Sequence, residues 1–428
     1  CIRDGNAWSW TNGARLNRRA LVMPVWLALG WLLGATTSLN AQTLTWLGTL
    51  GGSESVALNL SADGRVVIGK SLASTGYSMA FMWTRETGIQ SLGTLPFYTQ
   101  SSAAEGISAD GSVIVGWSSN SSGVRRAFHW THTTGMQMLP TLGGNWNTAH
   151  AVSPDGQIVV GESGTLAGIG HAFRWTDSSG VRDLGTLGGS WSGAWNISAD
   201  GATIVGWAYN IDGEYHACRW LPDGTAQDLD TLGGTGSQAL SVSANGEVVT
   251  GWSYNEAALF RAFLWEPIEE MRGLPILPNS YYVWAYDMTD DGTIVVGQTS
   301  LLSAGTRALR WDVQSGVQNL NTVYATLLSD GSILSGAMAI SPDGRYIVGY
   351  GIHAGTGHPS EAFLLDTWLP GDTNGDCVVD DSDLLAVLFA FGTPGTGITR
   401  YEDFNKDGIV DDADLLIVLF AFGSHCGA

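Results

Sequence analysis

Two short acidic runs late in the chain carry the side chains best suited to chemistry. Asp372, Asn374, Asp376, Val378, Asp380 and Asp383 occupy positions 1, 3, 5, 7, 9 and 12 of the first run, and Asp403, Asn405, Asp407, Ile409, Asp411 and Asp414 repeat that spacing 31 residues later. A calcium loop needs oxygen ligands at those positions, the seventh being a backbone carbonyl. Crowding so many carboxylates without a cation is electrostatically costly. Two Ca2+ sites are expected, one in each run. Both runs lead into apolar stretches, residues 384–391 and 415–422, that are greasy nearly all round. Helices of that kind bury against each other or offer a docking surface. Position 6 is Cys377 in the first run and Gly408 in the second, although a left-handed turn there favours glycine. Cys426, near the end of the chain, is the expected disulfide partner of Cys377.

Elsewhere the candidate groups are dispersed. Arg126, His171, His216, Arg261 and Arg307 each stand directly before the alanine of an A-F-x-W-like signature. If that signature marks equivalent strands, all five emerge on one rim. There they form an anion- or sugar-binding ring, or they hydrogen-bond the strand starts. Tyr98, Trp146, Trp191, Trp195, Tyr281 and Tyr282 belong to loops of the same rim, where aromatic faces stack on sugars or pack the loops. Residues 64–71 read G-R-V-V-I-G-K-S, the spacing of a phosphate-binding loop. That loop must be flexible and lie between a strand and a helix. Here its interior is β-branched and is itself a strand, so the match is accidental. The sequence has no H-E-x-x-H zinc helix and no serine elbow. Carboxylates for glycoside hydrolysis need only meet in space, about 5 to 9.5 Å apart, so they are not tied to any sequence spacing.

The rim residues are positioned by a unit written seven times. Its most legible piece is a turn of the form S-A/P-D-G, with Asp63, Asp110, Asp155, Asp200, Asn245, Asp291 and Asp343 in the third place. Successive separations are 47, 45, 45, 45, 46 and 52 residues. A blade of four short strands uses about 40 to 50 residues. An apolar strand enters each turn, and a β-branched strand closed by glycine leaves it. The signature strand comes third, and a fourth ends in an L-G-T-L-like segment such as residues 184–187. The seventh unit lacks a fourth strand, while residues 43–50 form a fourth strand with no unit before them. Circular closure removes both loose edges at once. The expected fold is all-β: a seven-bladed β-propeller over residues 42–369, closed by its N-terminal strand. A small α-helical calcium-binding domain over residues 370–428 follows it. Tryptophans of the signature, such as Trp130, Trp175 and Trp220, are expected to cover the bare glycines Gly116, Gly161 and Gly206 between sheets.

The H-A-F-x-W run at residues 171–175 and the L-G-T-L-G-G run at 184–189 resemble the extracellular HAF-repeat family. The resemblance implies secretion and a propeller-like fold but no defined activity. Units four, six and seven depart from the pattern, with Cys218 and Leu309 in the phenylalanine slot and Leu365 in the tryptophan slot. The duplicated acidic loops, with aspartate at position 12 and no helix before either loop, resemble a type I dockerin. That resemblance implies docking onto a cohesin-like protein, often in polysaccharide-degrading machinery. Positions 10 and 11 read Asp381 with Ser382 and Asp412 with Ala413, unlike the family's recognition pair.

Composition narrows the partners. The net charge is −21 over 428 residues, and no basic stripe is present to neutralise a phosphate backbone, so nucleic acid is not an expected partner. Arg15, Arg18 and Arg19 precede an apolar run ending near Leu33, then small residues up to Ala41. This is the order of a secretory leader, too short for a membrane span. Residues 1–41 are therefore read as a leader and the protein as secreted. The expectation is a non-catalytic binding or scaffold protein, its propeller recognising carbohydrate or protein. The alternative is a propeller glycoside hydrolase or lyase on the same tether.

Overall fold

Seven similar turns organise the chain, and each is built from its own side chains. In the first, Ser61 Oγ donates to Asp63 Oδ1 at 2.7 Å and accepts from the Val66 amide at 3.0 Å. Asp63 Oδ1 also accepts from the Arg65 amide at 3.0 Å, and Gly64 takes a φ of +67°. The last turn repeats these bonds with Ser341, Asp343, Arg345 and Tyr346. Backbone bonds also tie one turn to the next, as from Ala62 N to Ala109 O (2.9 Å) and from Ala109 N to Pro154 O (3.0 Å).

The computed structural model describes residues 42–312, 316–373, 378–393, 402–404 and 409–424. The expected leader lies outside them, as do Asn374, Asp376, Cys377, Asn405, Asp407 and Cys426. Up to Asp366 the described residues are all-β apart from one short helix, Leu320–Val323. Strands Gly51–Leu60, Val66–Ala73, Ser78–Thr84 and Gly88–Gly93 pair antiparallel in sequence order. Later groups repeat the order. Residues 64–71 thus fall in a turn and a strand, as their β-branched interior requires. The final group has Ile333–Ile340, Tyr346–His353 and His358–Asp366, and its remaining edge pairs antiparallel with Thr43–Gly48. The sheets number three of four strands and two of eight. Single parallel pairs, Glu54 with Ser360 and Tyr215 with Gly236, join groups within the larger two.

A second bond recurs between groups. The amide of the signature alanine donates to a side chain of the next group's first strand: Ala80 to Ser102 Oγ, Ala172 to Ser192 Oγ and Ala217 to Ser237 Oγ, at 2.8–2.9 Å. Ala362 donates in the same way to Ser55 Oγ at 2.9 Å, across 307 residues of chain. Apolar side chains fill the spaces between groups. One such core joins Ile68, Ala80 and Leu95 to Ala104, Ile107, Ile114 and Phe128.

Two expectations are corrected. The fourth strand does not run through the L-G-T-L segment: Gly180–Asp183 ends before it, and Thr43–Gly48 and Gly88–Gly93 reach only its first two residues. Leu184 turns back to bond Ala172 O, Gly185 has φ +74°, and Leu187 already bridges Asn210 of the following group. Nor does tryptophan cover the glycines of the second strand. A Cβ on Gly161 would fall on the carbonyl oxygen of Thr148 and lie 3.0 Å from the Phe173 ring. The signature phenylalanine sits opposite the glycine, Gly161 facing Phe173 in register, because the first strand crowds close at that point. The longest interval between turns is taken up by Leu320–Val323 and the fully buried Tyr324.

The tail is helical. Asp381–Ala390 and Asp412–Ala421 each begin with a capping box, Asp380 with Asp383 and Asp411 with Asp414. The two halves clasp reciprocally. Gly423 N donates to Val379 O at 2.8 Å, and Gly392 N donates to Val410 O at 2.8 Å. Val379, Val387, Phe404, Val410 and Val418 form the shared core, with Trp368 against it.

Candidate functional site

Every first strand carries the same irregularity. Its register slips by one residue between Ala57 and Asn59, Ala104 and Gly106, Ala149 and Ala151, and Ala194 and Asn196, and again in the other three groups. Such a bulge leaves one residue unpaired and re-aims its side chain. In four groups that residue is Leu58, Leu240, Tyr286 or Met338; in three consecutive ones it is Glu105, His150 or Trp195.

Those three residues touch. His150 Nδ1 lies 2.5 Å from Glu105 Oε2, and the His150 and Trp195 rings are 4.1 Å apart. Glu105 Oε1 accepts from the Trp117 indole at 2.6 Å. On the other side, His150 Nε2 lies 3.1 Å from Thr148 Oγ1 and 3.9 Å from Glu162 Oε1. Trp117 and Glu162 each follow the crowded glycine of a second strand, Gly116 and Gly161. The same slot places Trp207 against Glu162 and Tyr350 OH against Gln298 Oε1 at 2.8 Å.

Placement decides protonation. Burial disfavours the His150 imidazolium, but the Glu105 carboxylate outweighs it and holds His150 above its ordinary value. Burial likewise opposes ionisation of Glu105, yet His150 holds that carboxyl below its usual range. Glu162 is different: burial dominates, His150 compensates only in part, and its carboxyl is pushed up. Two carboxyl groups around one histidine are driven in opposite directions, which is how proton donors and acceptors are set apart.

The group opens into a cleft of about 440 Å³ walled by Trp146 and Trp195 and lined by Arg125, Thr148, His150 and Glu162. Arg125 lies 4.1 Å over the Trp117 ring. An aromatic strip crosses the following groups: Trp207 with Tyr209 (5.8 Å), Tyr215 with Trp252 (6.2 Å), Trp252 with Phe260 (4.7 Å) and Phe260 with Trp284 (5.5 Å). Tyr281 and Tyr282 extend it, and Tyr281 is 43% exposed.

The five rim residues share one register position, facing Ser118, Ser163, Ala208, Ser253 and Thr299. They do not converge. Arg126 bonds Asn147 Oδ1 and Leu139 O; His171 and His216 bond Asp183 and Asp228 at 2.7 and 2.9 Å. Arg261 bonds the carbonyls of Phe260 and Tyr281, and Arg307 that of Thr306. Of the loop aromatics, Trp146 and Trp195 join the cleft, Trp191 packs near Gly170, and Tyr98 lies under Arg126. The Glu105–His150–Glu162 group escaped the sequence reading, although a signal existed. These residues interrupt repeat positions that other units fill with Leu58 or Lys70.

In the tail, Asp383 and Asp414 are fully buried. Asp383 accepts from Thr373 N, Thr373 Oγ1 and Asp380 N at 2.7–2.9 Å. Asp414 accepts from Phe404 N and Asp411 N at 2.7 and 3.0 Å. Asp372 and Asp403 are buried beside them; Asp380 and Asp411 cap the helices. Val378 and Ile409 occupy their loop positions among the described residues. Phe389 and Phe420, at matching places on the two helices, are 85% and 80% exposed.

No family model matches this chain, and no curated protein does. Among solved structures it is similar to TolB from Acinetobacter baumannii, with 18% identity over 50% of this chain and 52% of that one (TM-score 0.40). The chain thus spans about half the length of that protein. It is also similar to an oligogalacturonate lyase in complex with manganese, with 12% identity over 76% of this chain and 96% of that one (TM-score 0.47). A third is the beta-propeller domain of the Trilobed protease from Pyrococcus furiosus, with 12% identity over 77% and 96% (TM-score 0.49).

Proposed function

We propose that this is a secreted saccharide-binding scaffold: a seven-bladed propeller, closed by its N-terminal strand, with a calcium-loaded docking tail. Closure is supported by the pairing of Thr43–Gly48 with His358–Asp366 and by the Ala362–Ser55 bond, the same bond that joins consecutive groups. The binding role rests on one observation. Partly exposed aromatic rings flank the site on both sides, Trp146 and Trp195 in the cleft and a strip from Trp207 to Trp284 beyond Glu162, where sugar faces stack on rings while polar groups fix orientation. Retention of the full chain on a polysaccharide panel, with no product released, is the expected result; no retention on any member overturns the reading.

For the tail, the donor set is all oxygen and matches a hard cation. Asp372, Asn374, Asp376, Asp380 and Asp383 would hold one calcium, with the Val378 carbonyl; Asp403, Asn405, Asp407, Asp411 and Asp414 would hold the other, with that of Ile409. Bound calcium supplies counter-charge to buried carboxylates. The buried Asp383 and Asp414 tie each loop's start to its helix, a fold that like charges alone would push apart. The outward Leu385, Phe389, Leu416 and Phe420 then offer an apolar surface to a cohesin-like protein. The Cys377–Cys426 disulfide is part of this proposal, supported by the adjacent Val379–Ser424 backbone bond.

A second reading is favoured by the opposed protonation of Glu105 and Glu162. Acid–base cleavage of a polysaccharide, by hydrolysis or elimination, would use such a set. Appearance of reducing ends or unsaturated products in the retention assay would move the assignment to an enzyme.

A further inference from the structure

The cleft places an arginine and a histidine together in an otherwise acidic chain. The protein is strongly acidic overall, yet the groups lining this cleft are Arg125, Thr148, His150 and Glu162 between two indoles. Glu105 stands behind them, spent on His150 Nδ1 and the Trp117 indole. Among the described residues, Arg125 has no carboxylate within ion-pair distance, whereas Arg272, Arg310 and Arg345 each have one. Its guanidinium carbon lies 4.1 Å from the Trp117 ring centroid, a cation–π contact that leaves its N–H donors for a ligand. A guanidinium presented this way matches a planar carboxylate with two parallel hydrogen bonds.

We propose that this cleft binds an acidic sugar, the carboxylate of a hexuronate residue pairing with Arg125 while its ring lies between Trp146 and Trp195. The inference rests on the saccharide-binding reading and names the class of sugar. Glu162 belongs to the same device. Its carboxyl is pushed up by burial, and in its protonated form it can donate to the ligand instead of repelling it. The groups facing it are His150 and Thr148 from its own sheet, Glu105 and Arg125 from the preceding one, and Trp207 from the next. Glu105 favours the cationic form of His150, and while His150 is protonated the pair adds no net charge. As pH rises and Glu162 ionises, the cleft gains one negative charge and uronate binding weakens.

The test is calorimetric titration of the full chain, with calcium present, by an alginate hexa-uronate and by cellohexaose. The expected result is a preference of about tenfold or more for the uronate, the scale of one charge-assisted hydrogen-bonded pair. Arg125→Gln should abolish that preference, bringing uronate affinity down to that for cellohexaose. Arg85→Gln removes an exposed cation elsewhere and should leave the preference intact, which separates local contact from net charge. Glu162→Gln should lessen the fall in uronate affinity as pH rises, the remainder coming from His150. Equal binding of the two hexamers, or equal losses in the two arginine variants, overturns the acidic-sugar proposal while the saccharide reading survives. Binding of neither hexamer overturns both.

Discussion

The body and the tail are both built by duplication, yet they spend charge in opposite ways. In the body, the repeated aspartates sit on exposed turns and are satisfied locally: Asp110 accepts from Ser108 and from both the amide and the hydroxyl of Ser112. Its interior is apolar and its cohesion comes from packing between groups. In the tail, Asp372, Asp383, Asp403 and Asp414 are drawn inside, while Phe389 and Phe420 face out. A repeat that stacks on its neighbours can bury grease. A two-helix unit has too little interior and organises itself around polar groups that need a counter-charge.

The largest test of that contrast removes the strand that completes the final sheet. Deleting residues 43–48 bares the edge of His358–Asp366 and uncovers Phe363 and Leu365, both fully buried. Cooperative unfolding of the body should be lost in calorimetry. Retention of a sharp transition at an unchanged temperature would show that the edge contributes nothing.

Next in size is Gly161→Ala, which places a methyl group on the Thr148 carbonyl and should cost about 3 kcal/mol or more. Gly123→Ala meets open space at φ +77° and should cost only about 1 kcal/mol. Urea midpoints compare the two, and equal losses would mean that turn strain, not crowding, sets the price.

Chelation should act on the tail alone. With excess chelator, hydrogen exchange in residues 378–424 of the full chain should accelerate, while strands such as Val159–Thr165 keep their protection. Asp383→Ala strips the acceptor from Thr373 and Asp380, and should cost about 3 kcal/mol of local stability. Uniform acceleration across body and tail would erase the contrast.

The body also relies on charge in places, as at Arg345–Asp366 and at His150–Glu105. The raised histidine adds stability that is full below its ordinary 6.5 and fades as pH climbs through its folded value. The lowered glutamate adds stability above its ordinary 4.5 that fades as pH drops through its folded value. In a Glu162→Gln background, which removes a group whose slope opposes that of Glu105 and adds to that of His150, the pair should stabilise most between pH 4.5 and 6.5. His150→Leu in the same background should cost about 3 kcal/mol there, because Glu105 is left unpaired. Melting temperatures recorded against pH check this, and a flat difference between the two proteins overturns it. Smallest is Asp110→Ala, about 1 kcal/mol, with the other turns intact.

Much of the body could be read from residue order because its causes are local. A serine, an aspartate and a glycine suffice to close each turn, and strand alternation needs no distant information. Even the orphan strand at residues 43–48 was visible as a mismatch in the strand count. The proposed tail ligands were named from the spacing of each acidic run alone, since one loop would supply a whole set. The L-G-T-L segment misled because its leucines suit a strand, while the sheet it serves is the next one. Tryptophan was expected over the glycine gaps because it shares a strand face with the signature phenylalanine, two residues away. Which aromatic faces the glycine depends on register, and that places Phe173, not Trp175, opposite Gly161.

Residue order by itself determined the repeat, its turns, the acidic loops and the poverty of cations. It could not determine the Glu105–His150–Glu162 cleft, whose members come from three strands of two groups and lie 45 and 12 residues apart in the chain. A bulge that is silent in sequence turns Glu105 and His150 toward each other, and packing of adjacent sheets brings them within 2.5 Å. Only then does burial act on Glu162 and separate it from Glu105. The chain encodes each side chain, but desolvation and proximity, which set what those groups do, exist only once the sheets have met.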